Sequence, residues 1–342
     1  MKDRKKINGI ITVILAIVLI LVLLGVFVIA MQGNKKEGND KKTNVGQSET
    51  ESGRAEKWKE GTIEYNGKNY KYNQDLNVYL LMGIDTDYTV EDAKIYDEGG
   101  GQSDAMFLLV TDPDTMEMSV ISINRNSMTR VEVFSENGSS GGYYDLQICL
   151  QHAYGDGAKL SCTRTVDAVS YLFYNLPIEG YLSINMGAVP IMNDSVGGVE
   201  VEVLEDLESG DIHLTKGETV TLDGEQAYLY LRGRDTDVFD SSTGRLRRQE
   251  QYISNYLAKL KDTAAGNSSS VVSIYNSISD YIVTDMSAVD IITELMGYTY
   301  DPSSMYTVPG ETVMGDTYEE YHVDASALYD LIIQIFYQEV TE

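Results

Sequence analysis

Five of the eight arginines in residues 61–342 fall between Arg232 and Arg248, and their spacing suits the grip of a phosphate group. Arg232 and Arg234 stand two apart in Leu231-Arg232-Gly233-Arg234-Asp235, so in an extended segment both project to one side. A helix beginning near Gly244 places Arg245, Arg248 and Gln249 on one face and turns Arg247 to solvent. Converging guanidiniums take phosphate oxygens bidentately, and the free N–H groups of a helix start add to them. The same arginines have acidic neighbours in Asp235, Asp237, Asp240 and Glu250. Spacing alone therefore leaves open exposed ion pairs, worth about 0–1 kcal/mol each.

Two carboxylates form a second constellation. Asp85 follows an apolar run in Leu80-Leu81-Met82-Gly83-Ile84-Asp85, and Asp104 precedes another in Gln102-Ser103-Asp104-Ala105-Met106-Phe107. Neighbouring antiparallel strands bring the end of one run beside the start of the other. Two such carboxylates, with phosphate oxygens and waters, are what Mg²⁺ usually takes; Asp at a strand end is also a common turn former. Arg125 ends a third run in Ile121-Ser122-Ile123-Asn124-Arg125-Asn126. Gly138-Ser139-Ser140-Gly141-Gly142 matches a nucleophile-elbow pattern but lacks the strand–turn–helix context. No phosphate-binding Gly-rich Lys-Ser/Thr loop occurs, and the three histidines show no metal-ligand spacing.

The elements that must position these residues are strands and helices mixed along the chain. Strand-length apolar runs lie at 78–84, 105–110, 118–123 and 199–203, with a weaker one at 181–184. Helical spacing appears at 161–175, 223–231, 245–261, 288–296 and 325–336. Thr111-Asp112-Pro113-Asp114 has turn chemistry and predicts a hairpin between the second and third strands. The pattern predicts a single α/β domain over 61–342.

The chain has 342 residues and a formal charge of −27. Residues 1–60 hold 11 basic and 7 acidic residues, whereas 61–342 hold 15 basic and 46 acidic, a net of −31. Such a body repels phosphate backbones, which excludes a nucleic-acid partner. Residues 9–31 (GIITVILAIVLILVLLGVFVIAM) carry no charge and are long enough to span a bilayer. Lys2, Arg4, Lys5 and Lys6 precede them, which predicts cytoplasmic residues 1–8, a single-pass anchor at 9–31, and everything beyond outside the cell membrane. Residues 32–60 have almost no apolar content and read as a flexible tether. In that oxidising compartment Cys149 and Cys162 are either a disulfide or two buried thiols.

In order, these pieces resemble the LytR–CpsA–Psr family of cell-envelope proteins. The landmarks are LLMGIDTD (80–87), QSDAMFLLVTDP (102–113), SVISINRN (119–126), AYGDG (153–157), NDSVGGVEVEV (193–203), LDGEQAYLYLRGR (222–234) and GRLRRQEQ (244–251). The resemblance implies one exported α/β domain with a central mixed β-sheet flanked by helices, preceded by one transmembrane helix, in a Gram-positive-type envelope. It implies a phosphotransferase that moves a glycan-1-phosphate from a polyprenyl-pyrophosphate carrier to peptidoglycan with Mg²⁺. Asp85 and Asp104 then match the metal-binding carboxylates, and with Arg125 the catalytic set. Arg125, Arg232, Arg234, Arg245 and Gln249 match the pyrophosphate contacts, with Arg248 on the same predicted helix face. The chain departs from the family pattern at Gln102, where Arg is usual, at Asn124 and Asn126, where Pro and Asp are usual, and in lacking a lysine upstream of AYGDG. These departures remove two cations and one carboxylate, and motivate the alternative of a non-catalytic sensor or attenuator that binds the same lipid.

Overall fold

The computed structural model describes residues 61–90, 100–135, 139–235, 237–267 and 269–340. The expected anchor at 9–31 and tether at 32–60 lie outside these residues. Among the described residues no helix is long and apolar enough to cross a membrane.

Six strands form the central sheet, in the spatial order Ile282–Thr284, Gly180–Asn185, Asn77–Ile84, Ser103–Asp112, Glu117–Ile123 and Thr299–Thr307. The Asn77, Ser103 and Glu117 strands pair antiparallel in succession. The Gly180 strand joins the Asn77 strand in parallel, and the Thr299 strand joins the Glu117 strand in parallel. The sheet is therefore mixed, as expected. The hairpin predicted at Thr111–Asp114 is present, and Asp112 Oδ1 accepts the Asp114 N–H at 2.9 Å.

Side-chain alternation explains how both faces are covered. Met106, Leu108 and Val110 share one buried cluster with Val169 of the Lys159–Leu172 helix, with Phe173 just after it, and with Leu328, Ile332 and Phe336 of the Ala325–Phe336 helix. Phe107 and Leu109 point the other way, onto Leu257 of the 26-residue Ser241–Gly266 helix. At 1.5 Å per residue that helix is about 39 Å long, so it backs the sheet while its first turns reach the sheet edge.

Register places the predicted carboxylates. Ile84 lies opposite Ser103, so Asp85 and Asp104 leave the sheet at the same edge. Arg125 follows the Glu117 strand at that edge, because Met106 lies opposite Ile123.

Several elements differ from the sequence expectation. The Val199–Glu202 strand exists but pairs with Thr219–Leu222 outside the central sheet. The Thr299–Thr307 strand was not expected, because Asp301-Pro302-Ser303-Ser304 interrupts its apolar pattern; the ladder shifts register there, between Tyr300 and Met305. In the hairpins Met128–Phe134/Ser140–Gln147 and Gly310–Met314/Glu319–Val323 one strand of each, Ser140–Gln147 and Gly310–Met314, has almost no buried residue, which leaves little hydrophobic alternation to read.

Candidate active site

Asp104 sits between two guanidiniums. Its Oδ1 accepts from Arg125 Nε at 2.6 Å and its Oδ2 from Arg245 Nη1 at 2.7 Å. The Arg125 and Arg245 side chains are only 11% and 6% exposed, so this is not a surface pair. Burial lowers the proton affinity of Arg245; Asp104 opposes that effect, while the neighbouring charges of Arg125 and Arg234 add to it. Arg245 Nη2 is buried and has no hydrogen-bond partner. Leaving such a charged donor unpaired is costly, on the order of 1–3 kcal/mol or more. A site with this feature is built for an anion.

The neighbours of Arg125 set its pose. Asn124 Nδ2 donates to Thr243 Oγ1 at 3.2 Å, and Asn126 Nδ2 donates to Ser242 Oγ at 3.0 Å. The two asparagines thus tie the end of the Glu117 strand to the first turn of the helix that carries Arg245. Asn126 Oδ1 accepts from Arg125 Nη1 at 3.1 Å, and Gln102 Oε1 accepts from Arg125 Nη2. Gln102 and Asn126, two of the residues that depart from the family pattern, therefore hold Arg125 by amide oxygens.

Asp85 is joined to the same network through the backbone. Gln102 N–H donates to Asp85 Oδ1 at 2.7 Å, and Asp85 N–H returns to the Gln102 carbonyl at 3.1 Å. Burial raises the proton affinity of Asp85; the Gln102 hydrogen bond opposes this and the Asp104 charge adds to it. The turn before Gln102 needs Gly101, which has a φ of 72° and whose added Cβ would lie 2.6 Å from side-chain atoms of Ile84 and Thr86. His152 Nδ1 donates to the Gly101 carbonyl at 2.9 Å, and Cys162 Sγ lies 3.8 Å from its Nε2. Burial pushes His152 down and the Cys149 and Cys162 thiols up to about 11 and about 12. Both cysteines are free and buried, so no disulfide joins them.

The remaining arginines divide. Arg234 and Arg125 line a cleft of about 460 Å³ with Gln102 and Asn126. Arg232 is exposed at the rim, bonded to Asp87 Oδ2 at 3.1 Å and to the Tyr228 hydroxyl, which itself donates to Asp87 Oδ1 at 2.6 Å. Arg248 does not reach the Asp104 cluster. Its fully buried guanidinium donates to Glu205 at 2.5 Å and to the Tyr230 and Gly233 carbonyls. Gln249 Nε2 donates to the Leu231 carbonyl at 3.3 Å. Arg248 and Gln249, expected among the phosphate contacts, are placed instead at the end of a neighbouring helix, for a physical reason. The Gly224–Arg232 helix ends with unsatisfied carbonyls, and these two side chains cap them. Arg247 is exposed, as expected. The acidic partners are Asp87, Asp104 and Glu205 instead of the sequence neighbours Asp235, Asp237, Asp240 and Glu250. Spacing could not reveal Asp87 or Glu205, which are brought in by tertiary packing, although Asp87 lies within the LLMGIDTD landmark.

Comparison with known proteins bears on the same residues. The LytR_cpsA_psr family model matches residues 28–334. The chain belongs to the LytR_cpsA_psr family. It is 29% identical over 252 residues to Biofilm regulatory protein A of Streptococcus mutans, covering 70% of this chain and 58% of that protein. It is 30% identical over 212 residues to the polyisoprenyl-teichoic acid–peptidoglycan teichoic acid transferase TagU of Enterococcus faecalis, covering 62% of each. The match thus spans less than two thirds of either relative's length. The fold is similar to the crystal structure of protein gbs0355 from Streptococcus agalactiae, with a TM-score of 0.60 at 23% identity, covering 76% of this chain and 86% of that one. The landmarks that carry Asp85, Asp104, Arg125, Arg232, Arg234 and Arg245 all lie inside the matched family segment.

Two outcomes follow for the LytR_cpsA_psr chain. Arg248→Ala strips the partners from Glu205 and two carbonyls and is expected to lower stability by about 3 kcal/mol, whereas Arg234→Ala stays within about 0.5 kcal/mol; urea unfolding measures both. His152 is neutral in the fold and its proton affinity is depressed, so below its unfolded pKa of ~6.5 the unfolded state binds the extra proton. Its contribution is complete above ~6.5 and is lost as pH falls toward the folded value. Thermal midpoints measured from pH 7.5 to 5 should fall less steeply for His152→Gln than for the unmodified protein.

Proposed function

We propose that this chain transfers a phosphate-linked glycan from a polyprenyl-pyrophosphate carrier to a hydroxyl of peptidoglycan, on the outer side of a membrane in which residues 9–31 anchor it. The observation that carries the reading is Arg245 Nη2, a buried charged donor without a partner, set beside Arg125 and Arg234. The name of the teichoic acid transferase from Enterococcus faecalis supports the substrate class.

The donor set fits a divalent cation held jointly with substrate. Among the described residues no group of three or more His, Cys, Asp or Glu could hold a metal alone. Asp85 and Asp104 together offer two carboxylates, and Asp104, with both oxygens engaged by arginine, still has a second lone pair on each. Mg²⁺ is commonly bound by one or two carboxylates plus phosphate oxygens. When bound by Asp85 and Asp104, it neutralises charge on the phosphate being transferred.

The chain's own residues do the rest. Arg125, Arg234 and Arg245 bind and orient the diphosphate, and their charge stabilises the leaving phosphate. Asp104 holds Arg125 and Arg245 at fixed angles to each other. Arg248 and Gln249 act indirectly, by fixing the segment that leads from Arg232 to Arg234. The second reading, lipid binding without turnover, is favoured by Gln102, which supplies an amide where a cation is usual.

One experiment separates them. The full-length protein in detergent is incubated with a polyprenyl-pyrophosphate-linked glycan, Mg²⁺ and peptidoglycan, and polyprenyl phosphate is quantified. Release is expected, with kcat falling about 10²–10³-fold in Asp104→Ala and comparably on removal of Mg²⁺ by EDTA. Binding of the lipid without release would select the non-catalytic reading.

A further inference from the structure

The cleft beside Arg125 has a wall that the diphosphate chemistry does not use. Met314, Tyr318 and Glu319 line it together with Arg125, Arg234 and Gln147. The first three come from one hairpin, Gly310–Met314 paired with Glu319–Val323. Its tip closes through the Gly315 N–H, which donates to the Tyr318 carbonyl at 2.9 Å. Met314 and Tyr318 are 63% and 44% exposed at the mouth of the cleft.

The hairpin is fastened to the site. Gln147 Nε2 donates to the Glu319 carbonyl at 2.7 Å, the Asp240 N–H donates to Glu319 Oε1 at 2.7 Å, and the Tyr321 N–H donates to the Asn126 carbonyl at 2.9 Å. Tyr321 is also bridged in parallel to Ser127. The wall therefore moves with Arg125 and with the start of the Arg245 helix. An exposed aromatic ring and thioether held on a fastened backbone, beside amide and hydroxyl groups, is the chemistry that recognises a sugar ring. The apolar face of the sugar lies on the aromatic ring, and its hydroxyls meet amides.

Gln102 lines both this cleft and a second cavity of about 370 Å³, which also has Asp85, Thr86, Asp87 and Tyr88 in its lining. In-line phosphoryl transfer needs the incoming hydroxyl and the leaving phosphate on opposite sides of phosphorus. Two openings that share Gln102 give the two partners separate ways in. The hairpin cleft, with the exposed Met314 and Tyr318 in its lining, has an aromatic surface open to one ring of a long polymer.

The geometry points to the hairpin cleft as the subsite for the acceptor glycan, with Tyr318 as the stacking surface and Met314 as its flank. This rests on the transferase reading above and adds which surface selects the acceptor. Tyr318 and Met314 act here as specificity residues, on the hairpin side of the cleft.

The test uses the full-length protein and two probes. In the transfer assay, Tyr318→Ala is expected to raise the KM for peptidoglycan glycan strands about tenfold and leave kcat and the KM for the lipid donor unchanged. Tyr318→Phe should restore the acceptor KM, and Met314→Ala should raise it severalfold. By calorimetry, an uncrosslinked oligosaccharide of alternating N-acetylglucosamine and N-acetylmuramic acid should bind the unmodified protein and bind Tyr318→Ala about tenfold more weakly. Unchanged acceptor KM and oligosaccharide affinity in both alanine variants, or a rise in the donor KM instead, overturns the assignment. If the unmodified protein releases no polyprenyl phosphate, the transferase reading fails, and calorimetry alone decides the subsite: Tyr318-dependent binding upholds sugar recognition there, and Tyr318-independent or absent binding overturns it.

Discussion

Asp104 between Arg125 and Arg245 is the contact from which the architecture of the site follows. A carboxylate in this position costs desolvation energy, and only two guanidiniums with good geometry offset it. Each of the three side chains comes from a different element: the start of the Ser103–Asp112 strand, the end of the Glu117–Ile123 strand and the first turns of the Ser241–Gly266 helix. Meeting that geometry fixes how the helix lies on the sheet. The asparagines on either side of Arg125 and the Glu250 contacts to Ser122 and Thr307 secure the same docking along the helix. The carboxylate thus organises the arginines, and the helix packing holds the carboxylate's partners in register.

A division of labour among the arginines follows from this. Arg245 spends one nitrogen on Asp104 and keeps another, buried, without a partner, so it is fixed and still has a donor to offer. Arg248, one turn on, is fully engaged by Glu205 and by carbonyls at the end of the neighbouring helix. Arg232 is held at the rim by Asp87 and Tyr228. The acidic body of the chain therefore needs no broad basic surface to bind an anionic group, because a few arginines are aimed at one place.

Much of this was legible in the sequence, and the rest was hidden for definable reasons. The central strands stood out because they are buried on both sides and read as continuous apolar runs. Their turn residues then implied that Asp85 and Asp104 meet. The carboxylates and the helix-borne arginines were read as two constellations joined only through a shared phosphate, because spacing along the chain does not show that Arg245 reaches Asp104. Helical periodicity put Arg245 and Arg248 on one face; a rotation of about 60° between them sends one to Asp104 and the other to Glu205. The hairpin that walls the cleft gave no signal, since its Gly310–Met314 strand has no buried residue and its Glu319–Val323 strand buries only Tyr321. Gln102 and Asn126 were visible only as losses of charge, whereas the structure shows both amides accepting from Arg125.

The central claim is that the unpaired Arg245 nitrogen receives a diphosphate oxygen. Calorimetric titration of farnesyl diphosphate into the full-length protein and into Arg245→Lys tests it directly. Lysine keeps a cation for Asp104 and lacks the second nitrogen. The account predicts that affinity falls about tenfold or more in the variant, as expected for losing one charged hydrogen bond of about 1.5–3 kcal/mol. Equal affinity in the two proteins would contradict it.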